Sequence, residues 1–230
     1  MRNVGIITGL KSEADCLRKI VSPLNLNIQI SGVSPEAAKA HAQHLSENGC
    51  ELLVSFGVAG ALRLGINTGA LLLPGSVKCL DGRTFETNAK IRNRLMKQAQ
   101  FSLSDSAILD DPIWGANELI GTKTEKLSVG EKHNVAAIDM ESHHIAFAAH
   151  ANGLPFIVVR SILDDIGTEL PGFVGRAITS GGTPDYAKIL TEVALKPWYL
   201  NNLIGLAARN RIAHRTLSRV APLLIGALNG

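Results

Sequence analysis

The amino-acid sequence predicts a single α/β domain, residues 1–230, in which helices flank a mixed, mostly parallel and twisted β-sheet. Short β-branched and aliphatic runs alternate with helical patterns, beginning with a strand at residues 3–8. Residues 155–162 form a nearly continuous apolar run, as expected for a strand covered on both faces. The chain has 230 residues, 46% of them hydrophobic, which is enough for one substantial core.

Charge and cysteine content exclude several classes of function. There are 23 basic and 20 acidic residues, and a formal charge of +3 is too small to predict nucleic-acid binding. Three widely spaced cysteines predict neither a disulfide framework nor a metal site. Since the start lacks a secretory apolar core and no uncharged run could span a bilayer, we expect a cytoplasmic protein.

The first elements are a strand, a glycine turn and a helix. The strand leads into Gly9 and a helix that begins near Glu13. Glycine at such a turn lets the backbone approach a ligand, and the helix amides face an anion, for which Lys11 and Ser12 are further candidate contacts. A tight turn without any ligand would have the same pattern.

A second strand and helix follow. The strand is predicted at residues 27–33, and Ser34 and Pro35 then provide a cap and a first helical residue. His41 and His44 lie three residues apart on this helix. No third ligand accompanies them, so no metal site is predicted.

The middle of the chain supplies shorter segments. A strand at residues 51–55 runs into residues 56–61, a loop in which Gly57 and Gly60 permit positive φ angles that turn amides toward a ligand. Further segments are predicted as strands at residues 69–77, 107–109 and 119–120, a helix at 90–100, and a polar loop with one helical turn at 122–134.

Residues 135–165 carry the main functional signal. They predict the end of a strand at 135–138, a helix at 139–152 and the buried strand at 155–162. Two acidic pairs fall at the ends of these strands: Asp139 with Glu141, and Asp164 with Asp165. That edge of a parallel sheet is where ligands bind.

Two motifs in this stretch resemble those of a known family. Asp139-Met140-Glu141 and the later Arg160-Ser161-Ile162-Leu163-Asp164 are similar to the paired signature of the nucleoside phosphorylase and nucleosidase superfamily. That superfamily includes purine nucleoside and uridine phosphorylases and methylthioadenosine/adenosylhomocysteine nucleosidases. The form Asp-Met-Glu-Ser most resembles the hopanoid-associated phosphorylase branch. The resemblance covers roughly residues 3–165 and implies a phosphorylase/hydrolase-like fold.

The resemblance implies roles for four residues. Asp164 would be the general acid that protonates the leaving base, because burial at a strand end raises a carboxyl pKa. Glu141 would bind the ribose hydroxyls, with Met140 packing beneath the sugar. Glu13 matches the glutamate that activates water in the similar nucleosidases. Each carboxylate could instead have a purely structural role: Asp164 could cap the turn that follows, and Glu141 could interact with the dipole at the helix start.

The sequence leaves the identity of the nucleophile open. The family's glycine-rich loop, which contacts sugar, base and, in phosphorylases, phosphate, corresponds here to Gly57, Val58 and Ala59. Gly9 and Ser55 would line the phosphate or nucleophile pocket. Ser55 stands where phosphorylases have an arginine, and Val58 where serine or threonine is usual. Water activated by Glu13 therefore competes with phosphate, the one co-substrate considered; no cofactor is predicted.

The predicted function is cleavage of a purine, adenine, from a 5′-substituted ribonucleoside. In the hopanoid-associated branch the reaction would convert adenosylhopane to ribosylhopane. Alternatives are a methylthioadenosine/adenosylhomocysteine nucleosidase, a general purine nucleoside phosphorylase, and a non-catalytic nucleoside-binding protein. A dinucleotide-binding protein is disfavoured, because no GxGxxG motif follows the first strand. Family members are homo-oligomers, so at least a dimer is expected.

The end of the chain leaves two choices open. Residues 167–185 are rich in glycine, proline, serine and threonine and predict either a movable rim over the site or a surface loop. Residues 186–230 are helical in pattern, with Trp198 and Tyr199 beside an apolar face and several arginines. They predict either peripheral contact with an anionic membrane or a helix pair docked on the core or on a second subunit.

Overall fold

Ten strands and seven α-helices make up the described part of the computed structural model, residues 2–169 and 172–229. The strands are β1 (Asn3–Thr8), β2 (Asn25–Ile30), β3 (Leu52–Ala61), β4 (Leu71–Leu72), β5 (Ser76–Cys79), β6 (Thr84–Glu86), β7 (Ile108–Leu109), β8 (Ile113–Gly115), β9 (Ala137–Asp139) and β10 (Phe156–Asp164). The helices are α1 (Lys11–Arg18), α2 (Pro35–Glu47), α3 (Ala89–Ser102), α4 (Lys123–His133), α5 (Ser142–Ala151), α6 (Tyr186–Leu195) and α7 (Tyr199–Asn229).

All ten strands belong to one sheet, with β3 and β10 side by side at its centre. The order along the sheet is β6-β5-β8-β9-β3-β10-β4-β7, with β1 also paired to β3 and β2 paired to β1. The pairs of β3 with β1 and with β10 are parallel, whereas β9 runs antiparallel to β3. The predicted α/β fold with a mixed, largely parallel sheet is confirmed.

One edge of β3 is shared by two strands that do not meet. β1 pairs with it as far as Ser55, and β9 begins to pair at Gly60. In the described structure no strand covers residues 56–59 on that edge. The amide groups there are consequently available to side chains. At this interruption the neighbour of β3 changes from the parallel strand β1 to the antiparallel strand β9.

Two apolar layers cover the sheet. The first contains β1, β3 and β10 residues packed against α1, α3 and α7, with α7 contributing Leu217, Val220, Ala221, Leu224, Ile225, Ala227 and Leu228. The second packs the other face against α2 and α5, which contribute Ala42, Leu45, Ile145, Ala146, Ala148 and Ala149. Because β3 and β10 are covered on both faces, the polar groups at their ends lie in a desolvated environment.

The polar stretch at residues 122–134 was predicted as a loop, and this prediction is wrong. It forms α4, whose first turn has a reciprocal capping box between Thr122 and Glu125. Asn134 ends the helix in the left-handed conformation, with φ of 48°. These two caps satisfy the end groups of a helix that lacks a strong apolar stripe.

Other predicted boundaries also move. Residues 56–61 are part of β3, and neither Gly57 nor Gly60 is among the described glycines with positive φ. Residues 69–77 split into the short strands β4 and β5, and residues 119–120 form no strand. The helix predicted from residue 139 begins at Ser142, because Asp139 still belongs to β9.

The C-terminal segment is helical, as predicted, and its two parts differ in burial. From Ala213 onward α7 packs into the first apolar layer, whereas α6 has no buried residue. Among the described residues, no helix is long and apolar enough to cross a membrane. Within the predicted rim, residues 170 and 171 lie outside the described part of the chain, as do Met1 and Gly230 at its ends.

Candidate active site

Glu13 occupies the interruption along the edge of β3. Its Oε1 accepts a hydrogen bond from the amide of Val58 (2.8 Å), and its Oε2 accepts one from the amide of Leu10 (2.8 Å). The side chain reaches this position because the turn at Gly9 starts α1 directly after β1. Burial raises the pKa of the Glu13 carboxyl, while Arg160 and the amide donors partly offset that rise.

A buried arginine lies at the centre of the site. Arg160 is 1% exposed and projects from β10, where its Nε donates to Asp139 Oδ2 (2.6 Å). Its Nη2 donates to Ser55 Oγ (2.6 Å) and to Glu141 Oε2 (3.0 Å). Burial alone would lower the pKa of Arg160, but the carboxylates of Asp139, Glu141 and Glu13 together raise it.

Three buried carboxyl groups share the single positive charge of Arg160. Burial is the main reason that the pKa of Glu141 is raised to about 8, and the carboxylates of Asp139 and Glu13 add to the rise. Asp139 is fixed further by the amide of Ser142 (3.0 Å) and by the Ser142 hydroxyl. We call Glu13, Asp139, Glu141 and Arg160 the arginine cluster.

Asp164 lies on the other side of the same stretch of β3. A β-bulge in β10 sets Asp164 against Gly60, so that Ile162 and Asp164 oppose consecutive residues of β3. Asp164 Oδ2 accepts a hydrogen bond from the buried Nζ of Lys126 (2.5 Å). Burial raises the pKa of the Asp164 carboxyl, Lys126 opposes that rise, and Asp165 adds to it.

Glycine is required where these side chains approach the backbone. A Cβ atom at Gly57 would clash with the Arg160 guanidinium and would lie 2.7 Å from Glu13 Oε1. At Gly60 it would lie 3.1 Å from Asp164 Oδ2, and at Gly9 it would lie 3.0 Å from Glu141 Oε1. The glycines therefore serve close approach, and the predicted positive φ angles at positions 57 and 60 are not observed.

Two glycines of β3 mark where the predicted site residues approach the sheet. Gly57 and Gly60 are three residues apart on β3, about 10 Å, with the arginine cluster at one and Asp164 at the other. Val58 and Met140 are half-buried, and Ala59 is buried at the centre of the strand.

Three side chains that were predicted to contact an anion are bonded to other groups of the protein. Ser55 is fully buried, and its hydroxyl pairs with Arg160 and with Ser142 (3.0 Å). Lys11 forms a surface ion pair with Asp15 (2.7 Å), and Ser12 Oγ lies 3.2 Å from His214 Nε2. The amide of Leu10 at the start of α1 is bonded to Glu13, and the amide of Lys11 is bonded to the carbonyl of Gly182.

Histidines do not complete a metal site in the described residues, where no group of three or more His, Cys, Asp or Glu side chains could hold an ion. His143 is buried and its Nε2 lies 3.0 Å from Asn117 Oδ1. The ring of His144 packs against it with a tilt of 38°, and burial lowers the pKa of His144 to about 4. His143 therefore lies in the interior and not on the helix surface.

Two residues of the site were not predicted from the sequence. Arg160 had been noted only as part of a motif, although a single charge within an apolar strand was a signal of a buried partner. Lys126 lies on the helix that had been predicted as a loop, and it is fully buried. The capping box at residues 122–125 was the signal that could have revealed the helix.

Buried acid–base groups at the ends of central strands, with glycines that leave room beside them, define an α/β enzyme. The family follows from sequence comparison: a model of the phosphorylase superfamily matches residues 24–180, and the chain belongs to that superfamily. This result confirms the predicted family and the predicted class, a nucleoside phosphorylase or nucleosidase. No curated protein sequence matches the chain.

Solved structures share the fold over nearly the whole chain. The methylthioadenosine/adenosylhomocysteine nucleosidase of Neisseria meningitidis, in complex with methylthio-immucillin-A, superimposes with a TM-score of 0.75 at 13% identity, covering 98% of this chain and 99% of that one. The corresponding Colwellia psychrerythraea nucleosidase with adenine gives 0.73 at 18% identity, covering 99% and 96%. Helicobacter pylori futalosine hydrolase gives 0.61 at 14% identity, covering 70% and 90%.

The raised pKa of Glu141 predicts how stability depends on pH. Between its ordinary value of 4.5 and about 8, the folded chain keeps a proton that the unfolded chain releases. The contribution of Glu141 to the free energy of unfolding therefore falls as the pH rises through this interval. Glu141→Gln removes the titration, so its free energy of unfolding should decline less steeply than that of the wild type.

Urea denaturation at a series of pH values, followed by tryptophan fluorescence, measures this slope. Glu47→Gln, an exposed change on α2, is the matched control and should keep the wild-type slope. Equal slopes for Glu141→Gln and the wild type would contradict the prediction.

Proposed function

We propose that the chain hydrolyses the N-glycosidic bond of an adenine ribonucleoside that carries a 5′ substituent. The observation that carries the proposal is the position of Glu13, whose carboxylate accepts hydrogen bonds from the amides that would otherwise bind phosphate. Family membership supports cleavage of a nucleoside. Similar solved structures contain methylthio-immucillin-A and adenine, which supports an adenine nucleoside as substrate.

Asp164 is proposed as the general acid. As the bond between the sugar carbon C1′ and the base nitrogen breaks, its electron pair moves onto the purine ring. A proton from Asp164 then neutralises a ring nitrogen, leaving Asp164 as a carboxylate. Burial favours the protonated acid before the step, because it disfavours the charged form.

Glu13 is proposed as the base that activates water. The water oxygen forms the new bond to C1′, and its proton passes to the Glu13 carboxylate. The two proton transfers balance, because Asp164 loses one proton and Glu13 gains one, and exchange with solvent restores both groups. A phosphate dianion is disfavoured at this position, because the Arg160 guanidinium already donates to Asp139 and Glu141.

Glu141 is proposed to hold the ribose hydroxyls through its carboxyl oxygens. One of its oxygens is held by Arg160, and the other lies next to Gly9. Met140 is proposed to pack beneath the sugar, and Gly57, Val58 and Ala59 to contact the nucleoside along β3. Because Arg160 fixes the direction of the Glu141 carboxylate, a bound ribose meets an oriented acceptor.

For the substrate we propose adenosylhopane, with ribosylhopane as the product. The resemblance of residues 139–142 to the hopanoid-associated branch supports this choice. A methylthioadenosine/adenosylhomocysteine nucleosidase is the second candidate, supported by the similar solved structures and by the position of Glu13. The two candidates differ in the size and polarity of the 5′ substituent.

We also propose that the C-terminal segment contacts an anionic membrane. Six apolar or aromatic side chains of α6, the turn after it and the start of α7 are at least half exposed. We call them the C-terminal apolar surface: Tyr186, Leu190, Leu195, Trp198, Leu200 and Ile204. Residues 186–215 contain five lysines and arginines but one acidic residue, Glu192. Apolar and aromatic side chains with a positive balance favour an anionic bilayer surface.

The first test measures adenine release with and without phosphate. Purified chain is incubated with 5′-methylthioadenosine, adenosine and adenosylhopane in mixed micelles, and products are separated by chromatography. We expect free ribosyl products and equal rates in both buffers, with adenosylhopane giving the highest kcat/KM. Strict dependence on phosphate, with a ribose 1-phosphate product, would exclude hydrolysis. A preference for 5′-methylthioadenosine would select the second candidate.

The second test removes the proposed acid and base. Asp164→Asn and Glu13→Gln should each lower kcat by about 10²–10⁴-fold, because each variant loses one proton transfer. Asp15→Asn is the matched control, since Asp15 lies on the same helix as Glu13 and pairs with Lys11 at the surface. Full turnover by Asp164→Asn would contradict the assignment of the acid.

The third test is flotation with vesicles of phosphatidylcholine alone or mixed with phosphatidylglycerol. The wild type should float with the anionic vesicles, and Trp198→Ser/Ile204→Ser should float much less. Phe101→Ser is the matched control, because Phe101 is 91% exposed but lies on α3, outside this surface. A wild type that stays at the bottom with both vesicles would contradict membrane contact.

A further inference from the structure

A buried lysine contacts the proposed general acid and takes no part in the two proposed proton transfers. Lys126 is fully buried on α4, and its Nζ lies 2.5 Å from Asp164 Oδ2. Bringing an ammonium group and a carboxylate out of water costs free energy, and apolar residues of similar size would often be as stable. The pair therefore calls for an explanation beyond stability.

All three donor hydrogens of Lys126 have acceptors on one segment. Besides Asp164 Oδ2, Nζ donates to the carbonyl oxygens of Asp165 (3.2 Å) and Thr168 (2.8 Å). These acceptors belong to the end of β10 and the turn directly after it. The lysine thus ties α4 to the segment that carries the acid, and it leaves Oδ1 as the oxygen that can hold a transferable proton.

The surroundings hold Lys126 in this direction. Gly130 lies one turn later on the same face of α4, and a Cβ atom there would clash with the backbone of Leu62. This close packing brings the helix against the end of β3. The capping box at Thr122 and the left-handed cap at Asn134 fix the two ends of the helix.

We infer that Lys126 is a positioning residue that aims the Asp164 carboxyl group and stabilises the carboxylate formed when the proton leaves for the base. The inference rests on the proposed role of Asp164. At the moment of transfer negative charge grows on Asp164, and an ammonium already in place stabilises it without rearrangement. The other charged groups facing this pair are Asp165 and, through Asp165, Arg209 (4.0 Å).

The test compares the pH dependence of kcat in the wild type, Lys126→Met and Lys126→Arg. Loss of activity at high pH reports deprotonation of the acid. Lys126→Met removes a positive charge within hydrogen-bond distance of the acid, which should raise its pKa. The alkaline limb of the profile, where activity is lost, should therefore move to higher pH by about one to three units. Maximal kcat should fall roughly 10- to 100-fold, because the carboxyl group is no longer held in place. Lys126→Arg keeps the charge and should keep the limb close to that of the wild type.

Lys132→Met, an exposed change on the same helix, is the matched control and should leave the profile unchanged. A lower kcat in Lys126→Met with an unmoved alkaline limb would overturn the inference, since a purely structural role predicts that result. A wild type without purine release would instead overturn the proposed function.

If Lys126→Met fails to fold, the double variant Lys126→Met/Asp164→Asn distinguishes the two explanations. If Lys126→Met unfolds and the double variant is folded, the lysine is coupled to the charge of Asp164, as inferred. If both unfold, Lys126 serves the packing of α4, and the inference is wrong.

Discussion

The ion pairs of Arg160 are the constraint on which the rest of the site depends. A guanidinium without solvent contact must have its donors satisfied, and here Asp139, Glu141 and Ser55 supply the acceptors from three different elements. Removing the arginine would leave carboxylates buried without a partner, which costs about 3–5 kcal/mol in comparable cases. The same contacts that satisfy the arginine also set the direction of the Glu141 carboxylate.

The sheet topology explains how the carboxyl group of Glu13 can be buried within the apolar interior. β1 stops pairing with β3 before β9 begins, and the amide of Val58 in that interval is satisfied by Glu13. A backbone N–H that would otherwise be buried without a partner is thus matched with a carboxylate. One interruption in strand pairing therefore supplies both a satisfied backbone and a reactive side chain.

Sequence patterns were sufficient for elements with strong periodicity and insufficient for partners distant along the chain. β1 was predicted with its observed bounds, because a short apolar run ends at a glycine. Asp164 and Glu141 were expected at one edge of the sheet for topological reasons, and both lie beside β3. Lys126 was missed, because a lysine in a polar stretch is normally exposed and α4 lacks an apolar stripe. The contacts of Glu13 with Val58 depend on strand pairing, which no local pattern contains.

The central place of β10 bears on how the nascent chain acquires its structure. β10 lies between β3 and β4, yet it is the last strand to leave the ribosome, and the apolar layer beneath it is completed only by α7. Strand pairs between segments so distant along the chain form late in folding, because the entropy of closing a long loop must be lost first. The amino-terminal half thus waits with open strand edges until residues 156–228 are synthesised, and during that interval it is the part of the molecule most exposed to aggregation and most dependent on chaperones.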